Sequence, residues 1–164
     1  MTLASDPVLT RTDESIATYN GVYWEAVGGG MGGAAPNVYG IAFDESGNLY
    51  ATGSFASAGG VAAARIAVWD GTMWHGIGAG LSDRGLALAA AAGAVYVGGA
   101  FEGAGGGQVN HVAQWDGARW RGLGQGLYGP TYGIVNDLLP AEPGLVYAAG
   151  FFTSAGGTAA NNVA

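Results

Sequence analysis

Short runs in which apolar and polar residues alternate recur along the chain, and each run ends at a turn signal. Each has Ile or Val followed by Ala at its second and third positions, and it closes on an aromatic residue followed by Asn-Gly or Asp-Gly. The three runs are residues 15–21, 65–71 and 111–117. Alternation with a period of two predicts a half-buried strand, and Asn-Gly or Asp-Gly after it predicts a hairpin. The return strands begin at the tryptophans that follow, Trp24, Trp74 and Trp120.

Two further strands per unit are predicted after each hairpin. A third apolar segment lies at residues 39–43, 85–89 and 132–135. The fourth segment contains a tyrosine and runs into an Ala-Gly-Gly turn. These tyrosines are Tyr50, Tyr96 and Tyr147. Four strands in a unit of 46 to 51 residues, the two steps between these tyrosines, is the size of a propeller blade.

The last unit is longer than the one before it. Its extra residues fall at 138–143, which include Pro140 and Pro143. Because proline cannot donate a backbone hydrogen bond within a sheet, we predict a loop insertion there.

The order of apolar strand, Gly-Gly, Trp-Asp-Gly and a second Trp resembles the repeats of kelch-type β-propellers. The glycine doublet is whole at Gly98-Gly99. The aromatic pairs are Tyr19/Trp24, Trp69/Trp74 and Trp115/Trp120. The sequence is closer still to the Gly- and Ala-rich repeats of bacterial surface and secreted proteins, which follow the pattern LYVGGxFxxAGGxxxNxVAxWDGxxWxxLG. The resemblance covers residues 15–164, and it implies a propeller fold and an extracellular or cell-surface location.

We therefore predict an all-β, propeller-like fold of about three four-stranded blade units with an incomplete terminal blade. The units are residues 15–65, 66–111 and 112–164, and residues 1–14 form an N-terminal arm that matches none of them. The incomplete blade is predicted because a fourth copy of the Ile/Val-Ala strand, Val163-Ala164, stops before any Trp-Asp-Gly.

An unfinished unit would leave an unpaired sheet edge to which another strand can add. Three arrangements would cover that edge: a longer propeller of which this is a fragment, a six-bladed ring of two chains, or copies joined end to end. The residues predicted to take part are Val8, Leu9, Ile16, Tyr19, Val163 and Ala164. Val8 and Leu9 would act as a donor strand in the arm.

Composition excludes several classes of function. The formal net charge is −7 and all five basic residues are Arg, so no basic stripe exists for nucleic acid or an anionic membrane. The absence of Cys excludes disulfides and thiolate sites. Residues 1–15 lack the pattern of a signal peptide, and no apolar run is long enough to insert into a bilayer.

Two Trp-Asp pairs are the candidate ligand-binding residues. Trp69 with Asp70 and Trp115 with Asp116 could stack on a sugar and bind its hydroxyls, whereas the simpler interpretation is a core Trp beside a turn. No nucleophile motif, metal-ligand cluster or cofactor motif is found, so we predict no catalytic residue, no metal, no cofactor and no enzymatic activity.

These observations favour a structural protein that associates with copies of itself, end to end, as a ring or a filament, by strand complementation. The alternative is a lectin-like, carbohydrate-binding propeller module with glycan partners.

Overall fold

The described part of the protein consists of strands and turns. The structure is a computed structural model, and it describes residues 15–129, 133–142 and 144–164. These residues contain no helix, so the all-β prediction is confirmed. The described strands pair in antiparallel fashion throughout and do not form a closed barrel or propeller ring. Val8 and Leu9 of the predicted donor strand lie outside the described residues.

Twenty short strands occur within these described ranges. The first nine are β1 Ala17–Tyr19, β2 Trp24–Ala26, β3 Met31–Gly32, β4 Val38–Phe43, β5 Leu49–Gly53, β6 Ser57–Ala58, β7 Val61–Ala62, β8 Ile66–Trp69 and β9 Trp74–Gly76. The next six are β10 Gly85–Ala91, β11 Ala94–Gly99, β12 Gly103–Ala104, β13 Gly107–Gln108, β14 Val112–Trp115 and β15 Trp120–Gly122. The last five are β16 Leu127–Tyr128, β17 Ile134–Glu142, β18 Leu145–Phe151, β19 Ser154–Ala155 and β20 Thr158–Ala159.

Four main sheets are built from these strands. The first hairpin is β1–β2, sheet I is β4-β5-β8-β9, sheet II is β10-β11-β14-β15, and the last hairpin is β17–β18. Smaller ladders form around the Ala-Gly-Gly turns, in the orders β3-β6-β7, β12-β13 and β16-β19-β20. The turns were predicted, but the short strands beside them were not.

Each four-stranded sheet combines halves of two successive sequence units. In sheet I, β4 and β5 come from the second half of the first unit, whereas β8 and β9 come from the first half of the next. Sheet II is built in the same way. The first hairpin is therefore equivalent to the last two strands of such a sheet, and the last hairpin is equivalent to its first two strands.

Among the described residues the core consists of three apolar clusters, one between each pair of neighbouring sheets. Ile16 and Trp74 belong to the cluster between the first hairpin and sheet I. Tyr50 and Val97 belong to the cluster between sheets I and II. Tyr96, Leu138 and their neighbours form the third, between sheet II and the last hairpin. Strand β10 packs on β4 on one side and on β17 on the other, so the main sheets stack in chain order.

The tight turns follow from local chemistry. Asn20, Asp70 and Asp116 each accept hydrogen bonds through Oδ1 from the backbone N–H groups two and three residues further on. The glycine after each of them has a positive φ, a conformation in which a side chain would be strained. The predicted hairpins at these three turns are confirmed.

The loop insertion predicted at residues 138–143 is wrong for its described part, because residues 138–142 belong to β17. Pro140 lies opposite Val146 and is followed by a register shift. Strand β17 is an edge strand that pairs with β18 only, in the described chain, so the missing N–H of Pro140 breaks no ladder on its other side. The extra residues therefore lengthen the last hairpin.

Candidate functional site

Two apolar surfaces lie at opposite ends of the stack of sheets. The start face is the side of the first hairpin and of sheet I that points away from sheet II. Its exposed large side chains are Tyr19, Trp24, Tyr39, Ile41 and Phe43. The last three follow the alternation of β4, whose other side, at Gly40, packs against Leu86 and Leu88 of sheet II.

The end face is the side of the last hairpin that points away from sheet II. Leu139, Leu145 and Tyr147 project from it, and Val163 lies beside them. Val163 forms a bridge to Ala149, and Ala164 exchanges two backbone hydrogen bonds with Ala148, at 2.7 and 2.9 Å. Residues 162–164 therefore form a third, short strand segment along the edge of β18 opposite β17.

Equivalent residues inside the stack are buried. Tyr50 and Tyr96 are 9% and 5% exposed, whereas Tyr147 is 48% exposed. Ile66 and Val112 are 0% and 3% exposed, whereas the equivalent Val163 is 63% exposed. The repeat thus places the same kind of side chain at an interface between sheets in the interior and at the surface on the end face.

The tryptophans of the return strands show the same contrast at the start face. Trp74 is 2% exposed, and its indole N–H donates to the carbonyl of Val27 in the preceding unit at 3.1 Å. Trp120 donates to Ile77 in the same way at 3.2 Å. Trp24 is 70% exposed. Each tryptophan packs on the aromatic residue across its turn, with ring centroids 5.3–5.7 Å apart.

The residues that the sequence predicts for assembly, as far as the structure describes them, lie in different environments. Tyr19 is exposed on the start face, and Val163 and Ala164 are exposed beside the end face. Ile16 is buried within its own chain, against sheet I.

Residues 39–43, 139–142 and 144–147, which complete these faces, were not predicted as a site, because their exposure depends on where neighbouring sheets stop. The available signal was the alternation of Tyr39, Ile41 and Phe43 with small residues.

The carboxylates of the predicted ligand site are engaged in their own turns. The pKa of Asp70 is lowered by hydrogen bonds from the Thr72 hydroxyl and the Met73 backbone N–H, and its Oδ2 lies 2.7 Å from His75 Nε2. The backbone N–H groups of Arg119 and Ala118 lower the pKa of Asp116 to about 2. These acids stabilise hairpin turns and have little acceptor capacity left for a sugar hydroxyl.

A groove of about 380 Å³ nevertheless lies beside the second Trp pair. Trp115, Trp120, Arg119 and Gln108 are among the residues that line it. Both tryptophans are partly exposed there. Aromatic faces beside polar side chains are the arrangement that a sugar-binding site uses.

The two histidines lie apart from each other. His75 is exposed and pairs with Asp70, whereas His111 is buried and accepts a hydrogen bond from the backbone N–H of Gly133 at 3.3 Å. Burial lowers the pKa of His111, against an opposing effect of Glu102. In the part of the chain that the structure describes, no group of three or more His, Asp or Glu residues could hold a metal ion.

Nothing helical in residues 15–129, 133–142 or 144–164 has the length and hydropathy to span a bilayer. The chain matches no protein-family model, and it has no significant match among curated proteins or among solved structures.

Proposed function

We propose that this protein is a structural β-propeller-like repeat protein whose copies associate end to end, with the end face of one copy on the start face of the next. The observation that carries the proposal is the exposure, at the two ends of the stack, of side chains whose equivalents are buried inside it. The resemblance to surface and secreted repeats adds the proposal that assembly takes place outside the cell.

Propeller blades are supported by the size and order of the sheets. Sheets I and II each have four antiparallel strands in chain order, and neighbouring sheets pack through their first strands, β4 and β10. Repeats that contact only their neighbours in this way form continuous cores by stacking. A surface at either end of such a stack is complementary to the surface at the other end, because both are copies of one interior interface.

The apolar area at the two faces is sufficient for association. Fully burying one large apolar side chain is worth about 1.5–3 kcal/mol, and the side chains of the two faces are 42–70% exposed, so each would contribute about half of that. The start face exposes five such side chains and the end face four. Their burial can offset the about 4–15 kcal/mol that association costs in lost freedom, and a net −8 kcal/mol corresponds to a Kd near ~1 μM.

The interface is heterologous, since two different faces meet. Such contacts give a ring if the rotation per subunit closes and a filament if it does not. A rotation that closes after two chains would give the predicted six-bladed ring, and a rotation that does not close would give the predicted filament.

The test is the mass of the full chain in solution, measured by sedimentation from about 0.1 to about 100 μM, a range that brackets the expected Kd. We expect the mean mass to rise with concentration, and rings or filaments in electron micrographs. Tyr147→Ser should reduce the association, whereas Met73→Ser, at an exposed apolar residue on a hairpin turn, should not. A single monomeric species at every concentration would contradict the proposal.

A second candidate, glycan binding, is favoured by the groove beside Trp115 and Trp120. The probe is an array of neutral oligosaccharides. Binding that is lost in Trp115→Ala, in a protein that still folds, would support this function. Equal signals from both proteins would exclude the groove as the binding site.

A further inference from the structure

The tryptophan contacts inside the stack use a pair of glycines. Trp74 packs against Gly28 and Gly59, where any added side chain would collide with its indole. Trp120 collides in the same way with a Cβ added at Gly105, and it lies 3.3 Å from the position that a Cβ would take at Gly78. Each pair of glycines thus forms a slot on one unit, and the tryptophan of the following unit packs into this slot.

The third slot of this kind lies at the end of the stack, at Gly124 and Gly156. A Cβ added at either glycine would meet nothing within 4 Å. Beside them is a pocket of about 110 Å³, lined mainly by apolar residues that include Leu123, Leu127 and Ala155. Leu127 and Ala155 are equivalent to Met31 and Ala58, which belong to the buried cluster that contains Trp74. The pocket therefore has the chemistry of a tryptophan slot.

A groove at the other end of the stack has the shape of a missing strand. It measures about 270 Å³ and lies between residues 15–17 and residues 38–41. At the equivalent place in the next unit, β5 pairs with β8, and its Thr52 side chain packs against Gly85 of β10. One unit further on, β11 fills the same place, with Gly98 against Val135. In both interior cases the filling strand is equivalent to β18.

We propose that the first hairpin of one copy and the last hairpin of a second copy form one four-stranded sheet, with Trp24 of the first copy in the slot at Gly124 and Gly156 of the second. This inference rests on the proposed end-to-end association and specifies its contacts. The indole N–H of Trp24 would donate to the carbonyl of Leu123, which is equivalent to Val27 and Ile77.

The interior sheets also fix the register of the new pairing. Ala51 lies opposite Ala67, and Val97 lies opposite Ala113. The equivalent pair between two copies is Ala148 opposite Ala17. In the single chain Ala148 is paired with Ala164, so the incoming β1 displaces residues 162–164. The backbone hydrogen bonds are exchanged without loss, and the exposed Val163 is replaced by Ile16.

The test of the slot uses two variants that block opposite ends. Trp24→Ala removes the inserted side chain, and Ala155→Leu fills the pocket. Trp24→Ala should weaken self-association more than about thirtyfold, because truncating a buried interface tryptophan at a hot spot costs that much. Ala155→Leu should weaken it to a similar extent, because the added side chain would keep the indole out of the pocket. An equimolar mixture should form a 1:1 dimer and nothing larger, since one intact interface remains between the two variants. Far-UV circular dichroism checks that both are folded.

The register is tested by cross-linking, which the absence of native Cys makes unambiguous. Under mild oxidation Ala17→Cys with Ala148→Cys should give intermolecular disulfides, since the Cα atoms of a hydrogen-bonded antiparallel pair lie about 5.5 Å apart. Thr18→Cys with Ala148→Cys is the control, because its side chains would lie on opposite faces of the sheet.

The outcomes separate the inference from the proposed function. If the natural protein associates and both single variants still associate equally well, the slot is refuted and end-to-end association stands. If the control pair cross-links as well as the Ala17/Ala148 pair, the register is refuted. If the natural protein is monomeric, both fail together.

Discussion

Trp24 and Trp74 occupy equivalent positions, and their replacement by alanine should have opposite consequences. Trp74 is 2% exposed, its ring packs on Trp69 at 5.7 Å, and its N–H bonds the carbonyl of Val27. Truncation of a buried tryptophan costs about 3–5 kcal/mol, which includes about 0.5–1.5 for the aromatic pair and about 1 for the hydrogen bond. Trp24 is 70% exposed and packs on Tyr19. Its truncation should cost the isolated chain less than about 1 kcal/mol.

The measurement is urea-induced unfolding followed by far-UV circular dichroism, at a concentration where sedimentation shows only monomer. The free energy of unfolding should fall for Trp74→Ala and stay nearly constant for Trp24→Ala, with similar m-values for the two variants. At high concentration we expect the opposite ranking for assembly, since only Trp24→Ala removes the side chain that would enter the next copy under the proposal.

Equal losses of monomer stability in the two variants would refute the reasoning. They would mean that Trp24 is packed in the isolated chain and that the start face is not free for a partner. A large change in the m-value of Trp74→Ala alone would instead indicate loss of the first hairpin from the folded unit, because Val27 follows that hairpin.

Three further predictions concern the end face, a glycine contact and pH. Asp137 is exposed on β17 opposite Ala149, on the same side of the hairpin as Leu139 and Tyr147. Asp137→Ala should tighten self-association about tenfold, by sedimentation, because this carboxylate would have to lose its water when copies meet. Gly99→Ala should destabilise the chain by about 1–3 kcal/mol in urea, since its Cβ would overlap the carbonyl of the preceding turn, whereas Gly107→Ala should be nearly neutral. Because burial lowers the pKa of His111 from its ordinary value of 6.5, its contribution to the free energy of unfolding is fully present above pH 6.5 and is lost as the pH falls below that value, and His111→Asn should flatten this dependence in urea unfolding.

Hairpins and repeat length were predictable because they depend on local signals. Asn20-Gly21 and its two equivalents fix a turn through a side-chain acceptor and a positive φ, both of which act within four residues. The strand content of 138–142 was not predictable in the same way. Pro140 predicted a loop. In the described structure, however, β17 pairs with β18 only, so a proline without an N–H is tolerated there. Whether a strand lies at the edge of a sheet depends on the whole sheet and cannot be read from the local sequence.

The candidate site could be predicted only in outline from the sequence. The repeat identifies Tyr19 and Val163 as positions with partners elsewhere in the array. It does not show that Ile16 is already covered by sheet I, which depends on the packing of residues far apart in the chain. The tryptophan slot had a signal in the glycines that recur with each Trp, but its meaning required the spatial contact between consecutive units.

The half-unit offset between sequence repeats and sheets explains why the two ends would fit each other. If each sheet were one sequence unit, the first and last sheets would both be complete, and only faces could meet. Because each sheet takes two strands from one unit and two from the next, the first hairpin corresponds to the second half of such a sheet and the last hairpin to its first half. Under the proposed association, the two hairpins would complete one sheet between two copies. Backbone pairing then specifies the register, while Trp24 and its slot specify the distance between copies, so two independent contacts must agree for the assembly to grow.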